Sequence, residues 1–345
     1  MFICVYLWLI PFFQFCVEAK VLAAWYEKHG AAREVLQVGA QPDPVPGKGE
    51  VRVRLRASAV NPSDVKARAG SRPVLPPRVI PDSDGAGEID RVGPGVPKPR
   101  LRQRVWVYNG QWQRPSGTSA QYICLPAAQV IPLPRQVTYA QGACLGIPVM
   151  TAHRCLFADG PIKGLTVLVA GGAGVVGHYA VQLARWAGAR VIATASSPEK
   201  AAHARKGGAH ATINYRSENV AARLDELTKG QGVDRVVDVE LGVNLPTYEK
   251  ALRPSAMIAT YAAAAAQDSI LPSRLRQKNV TVRMVFVYTM PDAAKARAIA
   301  DIARWIARGR PQYAIAARFP LSEIAAAHET VESGNKIGHV ILDIP

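Results

Sequence analysis

At 345 residues, 49% hydrophobic and 20% charged, the chain has the texture of a soluble globular protein and the length for two cores. Its formal charge of +16 admits nucleic acid as a partner, but the arginines are scattered among alanines, so at most weak, salt-dependent association is expected. The five cysteines (Cys4, Cys16, Cys124, Cys144, Cys155) include no CxxC pair and no disulfide framework, which fits a reducing, cytoplasmic setting and core packing for Cys144 and Cys155.

Residues 1–19 open with MFICVYLWLIPFFQFCV, which is shorter than a comfortable membrane span and is broken by Pro11 and Gln14. No Lys or Arg precedes Lys20, although Val17 and Ala19 resemble a signal cleavage site. A signal, an anchor and an extension ahead of a true start near Val21 all remain open. The last is preferred, because KVLAAWYEKHG (20–30) begins the first globular strand; no stable membrane span is expected.

Up to residue 147 the pattern predicts short strands at 50–59, 87–92, 104–108 and 120–125, separated by proline and glycine turns. That is the signature of a compact, mostly antiparallel barrel-like domain. In EVRVRLRAS (50–58), Val51, Val53 and Leu55 alternate with Arg52, Arg54 and Arg56, and the arginines are expected on a solvated face. Trp106, Tyr108 and Trp112 are candidates for an aromatic wall beside a planar substrate, with core packing an equal alternative for Trp106.

A linking helix is expected over 148–156, followed at 166–194 by TVLVAGGAGVVGHYAVQLARWAGARVIAT. This reads as strand, glycine turn, amphipathic helix and second strand, a βαβ unit suited to a dinucleotide. Gly171, Gly174 and Gly177 permit the tight turn, the approach of a pyrophosphate and close helix–strand packing. The N–H groups opening the helix face the phosphates. An NAD site normally has an acid at the tip of the second strand, whereas this chain has Ala195, Ser196, Ser197, Pro198, Glu199 and Lys200. Hydroxyls and a lysine favour NADPH, with Glu199 expected to point outward from a helix.

Strand-like runs continue at 211–214, 235–239, 257–261 and 280–287 between helical segments, giving a doubly wound parallel sheet. After a helix over 292–307, the pattern strand 314–319, helix 322–332 and strand 339–342 is expected to return to the first domain. The expected division is therefore 1–19 as an extension, 20–147 with 308–345, and 148–307. The run QKNVTVRMVFVY (277–288) reads as a long open edge strand, which invites pairing with a second copy.

Several segments together resemble one superfamily: AVNPSDVKARAG (59–70), SDGAGEIDRVGPGV (83–96), GIPVMTAH (146–153), GGAGVVG (171–177) and GAHATINYR (208–216). From about residue 20 to the end the chain resembles the medium-chain dehydrogenase/reductases, and more narrowly the zinc-free NADPH:quinone oxidoreductases of the zeta-crystallin type. The resemblance implies a Rossmann domain, a GroES-like catalytic domain and hydride transfer from NADPH to a quinone or other activated conjugated carbonyl. It also implies a homodimer. No metal is expected: Val60–Asn61 stands where zinc-dependent relatives carry a cysteine ligand, and no Cys/His cluster has metal-ligand spacing.

By the same resemblance, Asn61 sits by the nicotinamide and the reacting carbonyl, with Asp64 and Lys66 on the same turn. Lys66 departs from the family's usual aromatic residue. Thr151 would meet the nicotinamide end; Ala173, Gly174, Val175, Val176 and Gly177 the pyrophosphate; Ser196, Lys200 and Tyr215 the 2′-phosphate. Asn244, Tyr261, Met284, Val285 and Phe286 map to further cofactor contacts. Pro254-Ser255-Ala256 replaces the family's glycine turn, and an alanine run (262–266) follows it. The histidines show no catalytic pairing, and His153 and His178 are expected to pack or to lie on helix surfaces. A low-turnover NADPH-binding protein with a nucleic-acid-binding or regulatory role is the alternative reading.

Overall fold

Fifteen strands build three sheets in the computed structural model, which describes residues 20–262 and 273–345. In chain order they are β1 (Lys20–Trp25), β2 (Gln37–Pro42), β3 (Glu50–Val60), β4 (Asp84–Val92), β5 (Arg104–Val107), β6 (Tyr122–Pro126), β7 (Val130–Pro132) and β8 (Thr166–Val169). There follow β9 (Arg190–Ala195), β10 (Ala211–Asn214), β11 (Val233–Asp238), β12 (Leu252–Thr260), β13 (Thr281–Met284), β14 (Ile315–Pro320) and β15 (His339–Asp343). The N-terminal run 1–19 and positions 263–266 of the alanine run lie outside the described residues.

β1 and β2 form a small antiparallel ribbon. The largest sheet runs β14-β15-β3-β4-β5-β7, with β6 also paired to β3, and is antiparallel except for β14 on β15. Val51, Val53 and Leu55 of β3 are buried, as their alternation predicts.

Arg52 corrects the expectation of a solvated arginine face. It is buried, its Nη1 2.6 Å from Asp43 Oδ1 and its Nε 3.0 Å from Asp90 Oδ1. Its guanidinium lies 4.5 Å from the Tyr122 ring centroid. Two acids and an aromatic face compensate a charge that alternation alone would leave in water.

The six-stranded sheet has the order β10-β9-β8-β11-β12-β13, every pair parallel. This is a Rossmann-type doubly wound sheet, in which the strand order reverses between β8 and β11. The Ile147–Phe157 helix is buried at every position but Arg154, and joins the two sheets through one continuous core that includes Ala57, Met150 and Val167. Cys144 and Cys155 are fully buried in that core, and burial pushes both thiols well above their ordinary range.

The last strand of this sheet is shorter than its apolar run suggests. β13 ends at Met284; Val285 donates its N–H to Thr260 O (2.8 Å) and is buried, and a 3₁₀ turn covers Val287–Thr289. Val285, Val287 and Tyr288 are apolar because they turn inward, not because they prolong an edge, and of this run only Phe286 stays exposed.

Candidate active site

The crevice at the strand reversal is built first by the turn after β8. Gly171 adopts φ +74°, and its N–H donates to Thr194 Oγ1 at 2.9 Å. A Cβ on Gly177 would stand 2.2 Å from Gly171 O, so only glycine lets the helix sit this close to the strand. The Val175–Trp186 helix begins there, capped by Gly174 with no side-chain partner and with no acid in its first turn. Its first in-ladder bond runs from His178 N–H to Gly174 O (2.7 Å). The N–H groups of Val175, Val176 and Gly177 thus precede the helical ladder, as an anion cradle requires. Ala173 is buried beside them.

At the tip of β9, Ser196 is buried and Ser197 caps the Pro198–Lys206 helix, accepting from Lys200 N–H at 3.2 Å. Lys200 is half-buried and Glu199 exposed. Tyr215 N–H donates to Ala195 O (3.1 Å), and its residue is 51% exposed. Ser196, Lys200 and Tyr215 therefore gather at one strand tip without a buried carboxylate among them.

Asn61 closes β3 and begins the Pro62–Lys66 helix, where Asp64 Oδ2 accepts its backbone N–H at 2.9 Å. Its side-chain Nδ2 donates to Asp84 Oδ2 at 2.9 Å, the same oxygen that accepts Ile147 N–H at 2.8 Å. Asp84, which was not among the predicted site residues, is thus the hub joining β3, β4 and the linking helix. Its neighbour Oδ1 is buried without a hydrogen-bond partner, and a Cβ on Gly146 would stand 1.9 Å from it. The signal was present in SDGAGEID, but nothing in that segment says what Asp84 faces.

Burial, reinforced by Asp64, raises the Asp84 carboxyl well above the usual range; burial and Asp82 push Asp64 up to about 7. Through its bond to Asn61 N–H, Asp64 caps this buried turn. Lys66, on the same helix, is exposed. Thr151 is buried, its hydroxyl donating to Ile147 O at 2.7 Å.

Asn244 Nδ2 donates to Asp238 Oδ1 (2.8 Å), at the carboxyl end of β11, leaving its amide oxygen for other contacts. Tyr261, just past β12, is half-buried and donates its N–H to Asp238 O at 3.2 Å. Met284 and Phe286 are exposed (72% and 51%), with the buried Val285 between them. The carboxyl ends of β8, β11, β12 and β13 thus lie side by side along one edge of the parallel sheet. His153 lies elsewhere, its Nε2 2.8 Å from Asp301 Oδ2, and His178 is buried against His203, the rings stacked at 3.9 Å.

Residues 47–135 match the family model described as the alcohol dehydrogenase GroES-like domain, and residues 175–304 the one described as zinc-binding dehydrogenase. A quinone oxidoreductase of Pseudomonas aeruginosa is 32% identical over 319 residues, covering 90% of this chain and 95% of that protein. A 2-haloacrylate reductase of a Burkholderia species is 32% identical over 343 residues, covering 93% of this chain and 98% of the other. Escherichia coli quinone oxidoreductase, solved in complex with NADPH, superposes with a TM-score of 0.81 at 26% identity, covering 93% of this chain and 99% of that one. The chain belongs to the zeta-crystallin-like quinone oxidoreductase family of medium-chain dehydrogenase/reductases.

In this medium-chain reductase the matched segment 175–304 contains no cysteine. Among the described residues, no group of three or more His, Cys, Asp or Glu is arranged to hold a metal ion. Nor is any described helix long and apolar enough to cross a membrane.

The aromatic wall differs from the one expected. Trp106 and Tyr108 are buried in the core. Trp112 instead stacks on Tyr288 (centroids 4.6 Å apart, planes 22°) and meets Phe286 edge-on at 5.4 Å. Tyr288 OH donates to Ser63 Oγ at 2.9 Å, tying the segment after β13 to the turn that carries Asn61. Arg72 lies over both rings, 4.4 Å from the Tyr288 centroid and 5.0 Å from that of Trp112. Tyr288 is 176 positions from Trp112 and 225 from Ser63, and Arg72 is 40 and 216 positions from the two rings it covers, so local pattern does not reveal them.

Proposed function

We propose that the chain is an NADPH-dependent reductase that transfers a hydride to a quinone or other activated conjugated carbonyl without a metal. The observation that carries this reading is the tip of β9, where Ser196, Lys200 and Tyr215 lie within one turn of the strand end and no carboxylate is buried, Glu199 being exposed. The residues fit the cofactor: glycines leave room for a pyrophosphate, free helix N–H groups face it, and a lysine with hydroxyls suits a 2′-phosphate. NADPH, when bound, supplies the hydride. Asn61, fixed by Asp84, orients the reacting end; the buried Thr151 and Val285 exclude water from it. Phe286, 51% exposed and edge-on to Trp112, offers an apolar ring to a planar acceptor. An acceptor already electron-poor requires no Lewis acid.

Lys200→Ala is expected to raise KM for NADPH at least tenfold while changing that for NADH less than twofold, since charge-assisted contacts contribute about 1.5–3 kcal/mol. Steady-state rates across quinones, enones and 2-haloacrylates, with a strong chelator present, read both acceptor and cofactor. Equal use of NADPH and NADH by the unmodified chain would sink the cofactor assignment, and no turnover with any acceptor would sink the reductase.

A symmetric homodimer across β13 belongs to the same reading, because that strand is the open edge of the sheet and Met284 on it is exposed. Sedimentation at micromolar concentration should show a dimer that Met284→Lys converts to monomer; a monomeric unmodified chain removes the proposal. Val285 is unsuited to that test because it is buried. A cytoplasmic setting completes the reading, supported by the free thiols of Cys124, Cys144 and Cys155; cell fractionation tests it.

A further inference from the structure

We propose that Arg72 makes this a site for acceptors bearing a carboxylate, an activated alkene or quinone whose acid group docks on the guanidinium at the Trp112–Tyr288 wall. The inference rests on the reductase reading and names its substrate class. Arg72 is half-buried, and its guanidinium lies over the rings of Tyr288 and Trp112. Nη1 is out of water and has no hydrogen-bond partner. No carboxylate pairs with Arg72 among the described residues, although Asp64 feels its charge at longer range. The contrast is with Arg52, held by Asp43 and Asp90, and with Arg68, held by Glu332.

The Nη1 edge, drawn out of water, needs compensation, and the ring faces and the Tyr288 hydroxyl supply less of it than a charged acceptor. A carboxylate offers two oxygens in the spacing of the guanidinium fork. The position suits the chemistry as well. Tyr288, beneath Arg72, bonds Ser63, two residues from Asn61, so the guanidinium borders the crevice assigned to hydride transfer.

For an unsaturated acid the hydride adds at the β-carbon, and the C=C pair moves to the α-carbon and the carboxylate oxygens. A solvent proton then closes on the α-carbon. NADPH, the two-electron reductant, leaves as NADP⁺. The acceptor starts as an anion and gains a further negative charge before protonation, so a cation at its acid group favours the transition state over the ground state.

Two measurements test this. The first compares kcat/KM for 2-chloroacrylate with that for its methyl ester. Arg72→Gln should lower the acid-to-ester ratio at least tenfold, and Arg72→Lys should restore part of it. The second titrates benzoate and benzamide into the cofactor-free chain by calorimetry. Benzoate should bind at least tenfold tighter, and that preference should vanish in Arg72→Gln or in Arg72→Met, which keeps the stem packed on both rings.

An unchanged acid-to-ester ratio in the variant, reduction of the ester but not the acid by the unmodified chain, or no benzoate preference in that chain would each overturn the proposal. Loss of turnover with every acceptor would instead reject the reductase reading, and the benzoate titration would still decide the role of Arg72.

Discussion

Gly177→Ala is expected to weaken NADPH binding at least a hundredfold. The added Cβ would lie 2.2 Å from Gly171 O, 3.0 Å from Gly171 C and 3.1 Å from Gly172 Cα. All three are backbone atoms of the turn, so no side chain can swing away to relieve the overlap. The helix start must retreat from β8, carrying with it the free N–H groups of Val175 and Val176. A hundredfold loss corresponds to roughly 2.8 kcal/mol of binding, and overpacking of this kind destabilises a fold by about 1–3 kcal/mol. Gly174→Ala is the matched control for stability only: its Cβ would be 3.3 Å from Gly171 O, and φ there is −67°, which any residue adopts, so the fold should tolerate it even where the added methyl faces the pyrophosphate. Fluorescence titration of Gly177→Ala with NADPH and thermal melting of both variants check these outcomes. Binding by Gly177→Ala within threefold of the unmodified chain would show that the turn does not hold the phosphates.

The second large effect is expected at Asp84. Asp84→Ala leaves Asn61 Nδ2 and Ile147 N–H without their common acceptor inside the core. Each unpaired buried donor costs about 1–3 kcal/mol, so destabilisation of about 2–6 kcal/mol and a drop in kcat of tenfold or more are expected, with KM for NADPH changing less. Asp84→Asn keeps an acceptor of the same size and should retain the fold. Denaturant melts and steady-state rates of the two variants check this; equal stability of Asp84→Ala and the unmodified chain would remove Asp84 from its central position.

The pH dependence has a definite sign. Asp64 is pushed up to about 7 and Asp84 is raised in the same direction, by burial in both cases. The folded state therefore binds these protons more tightly than the unfolded chain does. Their stabilisation is fully present below about pH 4 and is lost as pH rises through 7. His178 and His339, which burial holds down to about 3, act oppositely: stability is lost as pH falls from about 6.5 towards 3. Asp64→Asn isolates the acid contribution, and the stability difference between it and the unmodified chain should shift in favour of the variant between pH 5 and 8.

What the sequence alone determined was everything carried by near neighbours. The strand, the glycines at 171, 174 and 177, and the helix after them lie within one short segment, so φ requirements and apolar spacing specify the cradle locally. The parallel sheet was legible for the same reason, because each βα unit announces itself by a change of period. Alternation also showed which residues of β3 face inward, since a pleat leaves no choice of side.

Only the tertiary structure decided what stands opposite each face. Arg52 reads as solvated until Asp43 and Asp90 meet it, and Asn61 reads as a free amide until Asp84, 23 positions away, takes its Nδ2. The run after β13 reads as a long edge until Val285 turns to Thr260 and Tyr288 reaches Ser63 across 225 positions. The physical reason is common to all of them. Periodicity records whether a side chain leaves water, whereas the partner that compensates it there is supplied by a remote segment, and only the folded chain brings the two together.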